Sequence, residues 1–173
     1  MNIKKVVGLG ILLIVLTYGY KTGERVMTRK ELNHFTPSEF GVWWPFMSND
    51  LLEKLDELRE RWGKVINVSP AAGGIGRHGG DATTQHNVDL YGEVRAVDIF
   101  PSGLNGNNVD QFYQLAKDVG FTGIGVYADT QYAGKPHVMF HVDVRKDRQP
   151  GSPAKWGRIA GNYVSLEKVL GHV

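Results

Sequence analysis

Apolar positions along the chain change period several times, and each change marks an element. Leu51, Leu55, Leu58 and Trp62 recur at helical spacing and form one face of a helix over 50–63. Ser48 or Asn49 can open it, Arg59 and Arg61 sit late in it, and Gly63 stops it, as the dipole and C-cap preferences require. A second amphipathic helix is predicted over 109–120, with Asn108 and Gln111 as a capping pair and Gly120 at its end. Runs 64–70, 93–101, 121–128 and 137–145 read as strands, the second by clear alternation. Residues 34–46 are dense in aromatics and predict a cap on the core. The tail 146–173 reads as a Pro/Gly-rich loop with one short helix over 165–171. A helix followed by strands and one more helix predicts an α+β domain, a small antiparallel sheet with flanking helices, over 34–173.

The N-terminus has a different pattern. Lys4 and Lys5 precede fifteen uncharged residues, 6–20, and Lys21 follows. As a helix this run spans roughly 22 Å, short of a ~30 Å hydrocarbon core unless its flanks snorkel. Tyr18 and Tyr20 suit a membrane interface, and no A-x-A cleavage pattern follows. An uncleaved anchor over 1–22 is therefore favoured over a cleaved secretion signal, with 23–33 as a tether. The lysine pair predicts an inside N-terminus and a main domain outside the cytoplasm.

Composition narrows the chemistry. The chain has 173 residues, 20 Lys+Arg against 18 Asp+Glu, and no cysteine. Disulfides, thiolate metal sites and cysteine nucleophiles are excluded, and no basic block suited to a nucleic-acid backbone is present. The glycine-rich run 71–86 lacks the G-K-[ST] of a phosphate loop and reads as an active-site loop.

The polar residues of 137-HVMFHVDVR-145 then need an explanation. Its valines and phenylalanine favour a strand over the helix that H-x-x-x-H spacing would suit. On a strand, Val138, Phe140, Val142 and Val144 share a core face, and His137, Met139, His141 and Asp143 share the other. His141 and Asp143 are predicted to face a cleft, whereas His137 stands roughly 13 Å from His141, too far to share an ion. In the preceding cluster, His86 lies in the loop, and Asp98 lies on an alternating strand where an unpaired carboxylate would be costly. His86, Asp98 and His141 make a three-ligand set with an open position, the composition of a catalytic zinc site. Nothing around His34 or His172 suggests a ligand.

These residues, in order, resemble the zinc D-Ala-D-Ala carboxypeptidase and L-alanyl-D-glutamate peptidase family, cell-wall and phage endolysin enzymes with a hedgehog-like zinc fold. The family pattern S-x-H-x-x-G-x-A-x-D is matched by Thr84, His86 and Ala96-Val97-Asp98, and its later H-x-D by His141-Val142-Asp143, with Met139 where the family's F-x-H-x-D has its aromatic. The likeness covers about 34–158. The interval from His86 to Asp98 is longer than the family's, with 87–93 read as a loop insertion, and Val94 stands where a glycine is usual. Ala72 replaces the loop arginine that steadies the substrate carbonyl, leaving Arg77 as substitute, and Val138 occupies the usual position of the catalytic base. The resemblance implies a membrane-tethered zinc peptidase acting on peptidoglycan peptides. Asp143 or His137 would move the proton, and Arg77 and Thr84 would contact substrate. The alternative it leaves open is a non-catalytic structural or wall-binding protein, such as a virion component, that keeps the fold.

Overall fold

A computed structural model describes residues 31–79 and 84–173. The apolar run 6–20 and most of the tether lie outside the described residues, and among those described no helix is long and apolar enough to cross a membrane. The chain forms α1 (Pro37–Phe40), a 3-10 turn (Gly41–Phe46), α2 (Asn49–Trp62), β1 (Ile66–Val68), α3 (Val88–Tyr91) and β2 (Ala96–Pro101). It continues through α4 (Val109–Val119), β3 (Gly123–Tyr132), β4 (Lys135–Asp143), β5 (Ala154–Ile159), β6 (Asn162–Val164) and α5 (Leu166–Leu170). The α+β class and the two long helices match the sequence reading.

The sheet does not match it fully. Its order is β1-β2-β4-β3-β5-β6, and every neighbouring pair is antiparallel except β3 and β5, which are parallel. The small antiparallel sheet is thus a six-stranded mixed sheet. The reason is a strand skipped: β4 ends beside the start of β3, at Gly123↔Asp143, and β5 begins beside Gly123 at Ala154. The connection 144–153 passes the end of β3, so β5 enters on its far side pointing the same way. The tail, read as loop and one helix, supplies β5 and β6 as well as α5.

Burial explains the layering. Leu51, Leu55 and Leu58 of α2 are fully buried, as are Phe112 of α4 and Phe140 and Val142 of β4. Phe112 bridges the layers: its ring lies 5.0 Å from that of Trp62 and 4.7 Å from that of Phe140. The Val/Phe face of β4 therefore meets the helices, as its alternation predicts. On the opposite face Phe100, Tyr127 and Met139 form a separate small cluster with Tyr132 and Trp156 packed against it. The insertion 87–93 is not an open loop: Asn87 caps Asp89 N–H and Gly92, at φ 68°, ends the helical turn α3.

Candidate metal centre

β2 and β4 pair so that Asp98 stands directly opposite His141. On that face their side chains are neighbours, as non-adjacent strand positions in register must be. His86 comes from the segment before α3 and is fixed on every side. Its N–H points to Thr84 Oγ1 at 3.4 Å, its carbonyl accepts from Arg77 N–H at 3.0 Å, and its Nδ1 donates to the Ile75 carbonyl at 2.6 Å. The glycine-rich loop is in turn tied to the ligand strand, since the Gly74 carbonyl accepts Asp98 N–H at 2.7 Å. Gly74 and Gly76 permit this close path: a Cβ on either would lie 2.8 Å from Ser69 Oγ or 2.4 Å from the Trp43 ring. The loop thus positions ligands, and its segment 80–83 lies outside the described residues.

Three atoms converge. His86 Nε2 is 3.1 Å from His141 Nδ1 and 3.5 Å from Asp98 Oδ1, and His141 Nδ1 is 3.0 Å from Asp98 Oδ1. Ligands at ~2.0–2.1 Å around a tetrahedral ion lie about 3.3–3.4 Å apart, so these separations are those of one face of a tetrahedron. The outer nitrogens set the tautomers. His86 Nδ1 can only donate to a carbonyl, and His141 Nε2, 3.1 Å from Asp143 Oδ2, donates to that carboxylate. Both inner nitrogens are then left with lone pairs directed at a carboxylate oxygen, and three acceptors in contact require a cation between them. His86 and His141 are buried and Asp98 keeps 18% of its side chain exposed, so the group has one open side. The group can hold a metal ion.

Without an ion, the cation is a proton. Burial opposes charging of His141, but hydrogen bonds with Asp143 and Asp98 outweigh it and push its pKa up to about 9. Burial likewise works to raise Asp98, yet its bonds with His141 and His86 hold it well below the usual carboxylate range. A raised histidine pKa stabilises the metal-free fold fully below the unfolded value of 6.5, and that contribution is lost as pH rises through about 9. The melting temperature of metal-free protein should therefore fall between those limits, and saturating zinc, which replaces the proton, should remove the fall. A flat metal-free profile would contradict the proton's placement.

The other predicted site residues are arranged differently. Asp143 does not face the cleft: its side chain is 0% exposed, behind His141, and paired with Arg145. It orients the histidine, and burial, opposed by bonds with Arg145 and His141, leaves its pKa lowered. That position puts the imidazole between its carboxylate and the converging atoms. His137 packs edge-on against Phe100 at 5.6 Å and donates from Nδ1 to the Val138 carbonyl, outside the ligand group as its register predicts. Arg77 is half-buried; its guanidinium donates to the Gly73 carbonyl at 3.2 Å, and its Nε has no partner among the described residues. Thr84 supports the His86 backbone. Two other carboxylates that would be next in line to move a proton, Asp129 and Glu93, are engaged, Asp129 with Arg158 at 2.9 Å and Glu93 with Arg95 at 2.8 Å.

Sequence reasoning passed over three residues. Arg145 neutralises Asp143. Trp156 lies over Gly125, where a Cβ would come 2.5 Å from the indole, and packs on His141 at 5.2 Å between ring centroids. Its Nε1–H donates to the Tyr127 hydroxyl at 3.0 Å. The visible signal was Gly123 and Gly125 in a strand, since alternate glycines there mark a close approach by something else. No family model, curated protein or solved structure matches the chain.

Proposed function

We propose that the protein is a zinc-dependent peptidase acting on stem peptides or cross-bridges of peptidoglycan, tethered to a membrane through residues 6–20. The observation that carries the reading is the triangle of His86, Asp98 and His141, open on one side and spaced as a tetrahedral face. Two imidazoles and one carboxylate with a free fourth position are the protein ligands of hydrolytic zinc sites. Zinc bound there supplies Lewis acidity toward a peptide carbonyl or a water. The chain's own contribution is orientation: Asp143 and Ile75 fix the two imidazole rings, and backbone bonds hold Arg77 beside the His86 segment. Arg77, whose Nε has no partner among the described residues, is the group we assign to the substrate carbonyl. The anchor would set this domain on the outer side of the membrane, where peptidoglycan lies.

One observation favours a second reading, a wall-binding or virion protein that keeps the metal fold without turnover. Among the described residues, the carboxylates suggested as proton carriers are buried or ion-paired. A single experiment separates the readings. Carbonate-washed membranes from expressing cells should release amino acids or peptides from purified muropeptides, and a chelator should stop the release until zinc is restored. Activity in the wash instead would remove the tether and keep the peptidase; metal-loaded membranes with no turnover would favour the binding protein.

A further inference from the structure

Arg145 closes the β4 segment without touching the ligand triangle, yet its guanidinium determines what lies behind it. Nε stands 2.9 Å from Asp143 Oδ1 and 3.1 Å from Oδ2, Nη2 also bonds Oδ2, and the Arg145 backbone N–H donates to Oδ1 at 3.1 Å. A fork of this kind fixes a carboxylate in plane as well as neutralising it. Asp143 has nowhere else to go, because it is wholly buried and sits where a Cβ on Gly123 would be, 2.3 Å from its oxygens. The remaining capacity of Oδ2 is directed at His141 Nε2. Across the same ring, the Trp156 indole packs on His141, with the Arg145 guanidinium 5.3 Å from the indole centre. One arginine therefore holds both the edge partner and the face partner of this imidazole.

We propose that Arg145 is the positioning residue that decides which His141 nitrogen is offered to the metal, and so sets metal affinity from outside the coordination sphere. Pinning Asp143 onto Nε2–H leaves Nδ1 as the lone pair that meets Asp98 and His86. Without the Arg145 fork, the confined Asp143 carboxylate loses its fixed plane and its counter-charge, so Nε2–H loses its one defined acceptor and the triangle its fixed third corner. The inference rests on the metal-binding reading and concerns this chain's residues alone. Changes to groups that orient a ligand typically cost ~10–100-fold in metal affinity.

The test uses the full chain, held in detergent micelles and labelled with nitrogen-15 histidine. With cadmium-113 bound, wild type should show metal–nitrogen coupling at His141 Nδ1 and His86 Nε2. Arg145→Lys keeps the charge and loses the fork; Arg145→Met loses both. Zinc affinity, read by competition with a chromophoric chelator, should fall about 10–100-fold in Arg145→Met and by less in Arg145→Lys. Coupling at His141 should weaken or divide between its nitrogens in the same order. Lys146→Ala, the exposed neighbour, should change neither readout. A purely structural arginine would lower the melting temperature and leave affinity and coupling intact, which would overturn the inference. So would wild-type coupling at His141 Nε2, a result that needs no variant to fold. Failure of wild type to bind cadmium or zinc would remove the metal centre itself, and the inference with it.

Discussion

Replacing His86, Asp98 or His141 with alanine should abolish metal binding in each case. Three protein atoms define the site, and two leave a pair of ligands with no enforced geometry. The loss should exceed the ~10–100-fold cost of changes outside the coordination sphere. Elemental analysis of purified protein should find one zinc per chain in wild type and none in these variants, and any peptidase activity should vanish with the ion. His137→Ala, His34→Ala and His172→Ala should retain full zinc. His137 is the sharpest control, because it shares the strand and the face of His141 but packs on Phe100 and Tyr132 instead. Zinc retained by any of the three ligand variants, or lost from His137→Ala, would assign the site to other residues.

Gly123→Ala should be strongly damaging to the sheet. The added methyl would lie 2.3 Å from both Asp143 oxygens, and that carboxylate is boxed in by Arg145 and His141. Overpacking of this kind costs about 1–3 kcal/mol, and here it also displaces a buried charge from its partners. Stability by denaturant unfolding and zinc affinity should therefore fall together. Gly125→Ala should cost less, since the indole it meets is only half-buried and can lift away. Gly171→Ala, at φ −83° with its nearest contact at 3.5 Å, should be close to neutral. Equal stability of Gly123→Ala and Gly171→Ala would show that Asp143 has more freedom than the packing implies.

Particular elements show where reading the chain succeeds. α2 and α4 were legible because a helix buries one stripe, and Leu51, Leu55 and Leu58, or Val109, Phe112 and Ala116, repeat at its period. The two faces of β4 were legible for the same local reason, and so was the exclusion of His137, since rise per residue sets its distance from His141. The candidate ligand set followed from an economy of burial: Asp98 on an alternating strand demanded a partner, and its partner across the ladder is His141. β5 and β6 were missed because their alternation is weak: Gly157 and Arg158 interrupt the first, and the second is three residues long. The parallel pairing of β3 with β5 depends on which strand the 144–153 connection passes, a choice without local signature.

The role of Asp143 marks the boundary between the two kinds of information. Alternation alone places it on the ligand face beside His141, and that much is true. Whether a residue on that face meets solvent or lies beneath its neighbours depends on what packs above it. Here that is settled by Arg145, the absent side chain of Gly123 and the Trp156 indole from a strand outside the local pattern. The sequence by itself therefore determined the periodic elements, the face each side chain takes and the three residues that converge, because these follow from local geometry and the cost of burying charge. Only the tertiary structure decided strand order, the partners of each histidine nitrogen and the burial of Asp143 between His141 and Arg145. Those depend on contacts between residues far apart in the chain, which no spacing encodes.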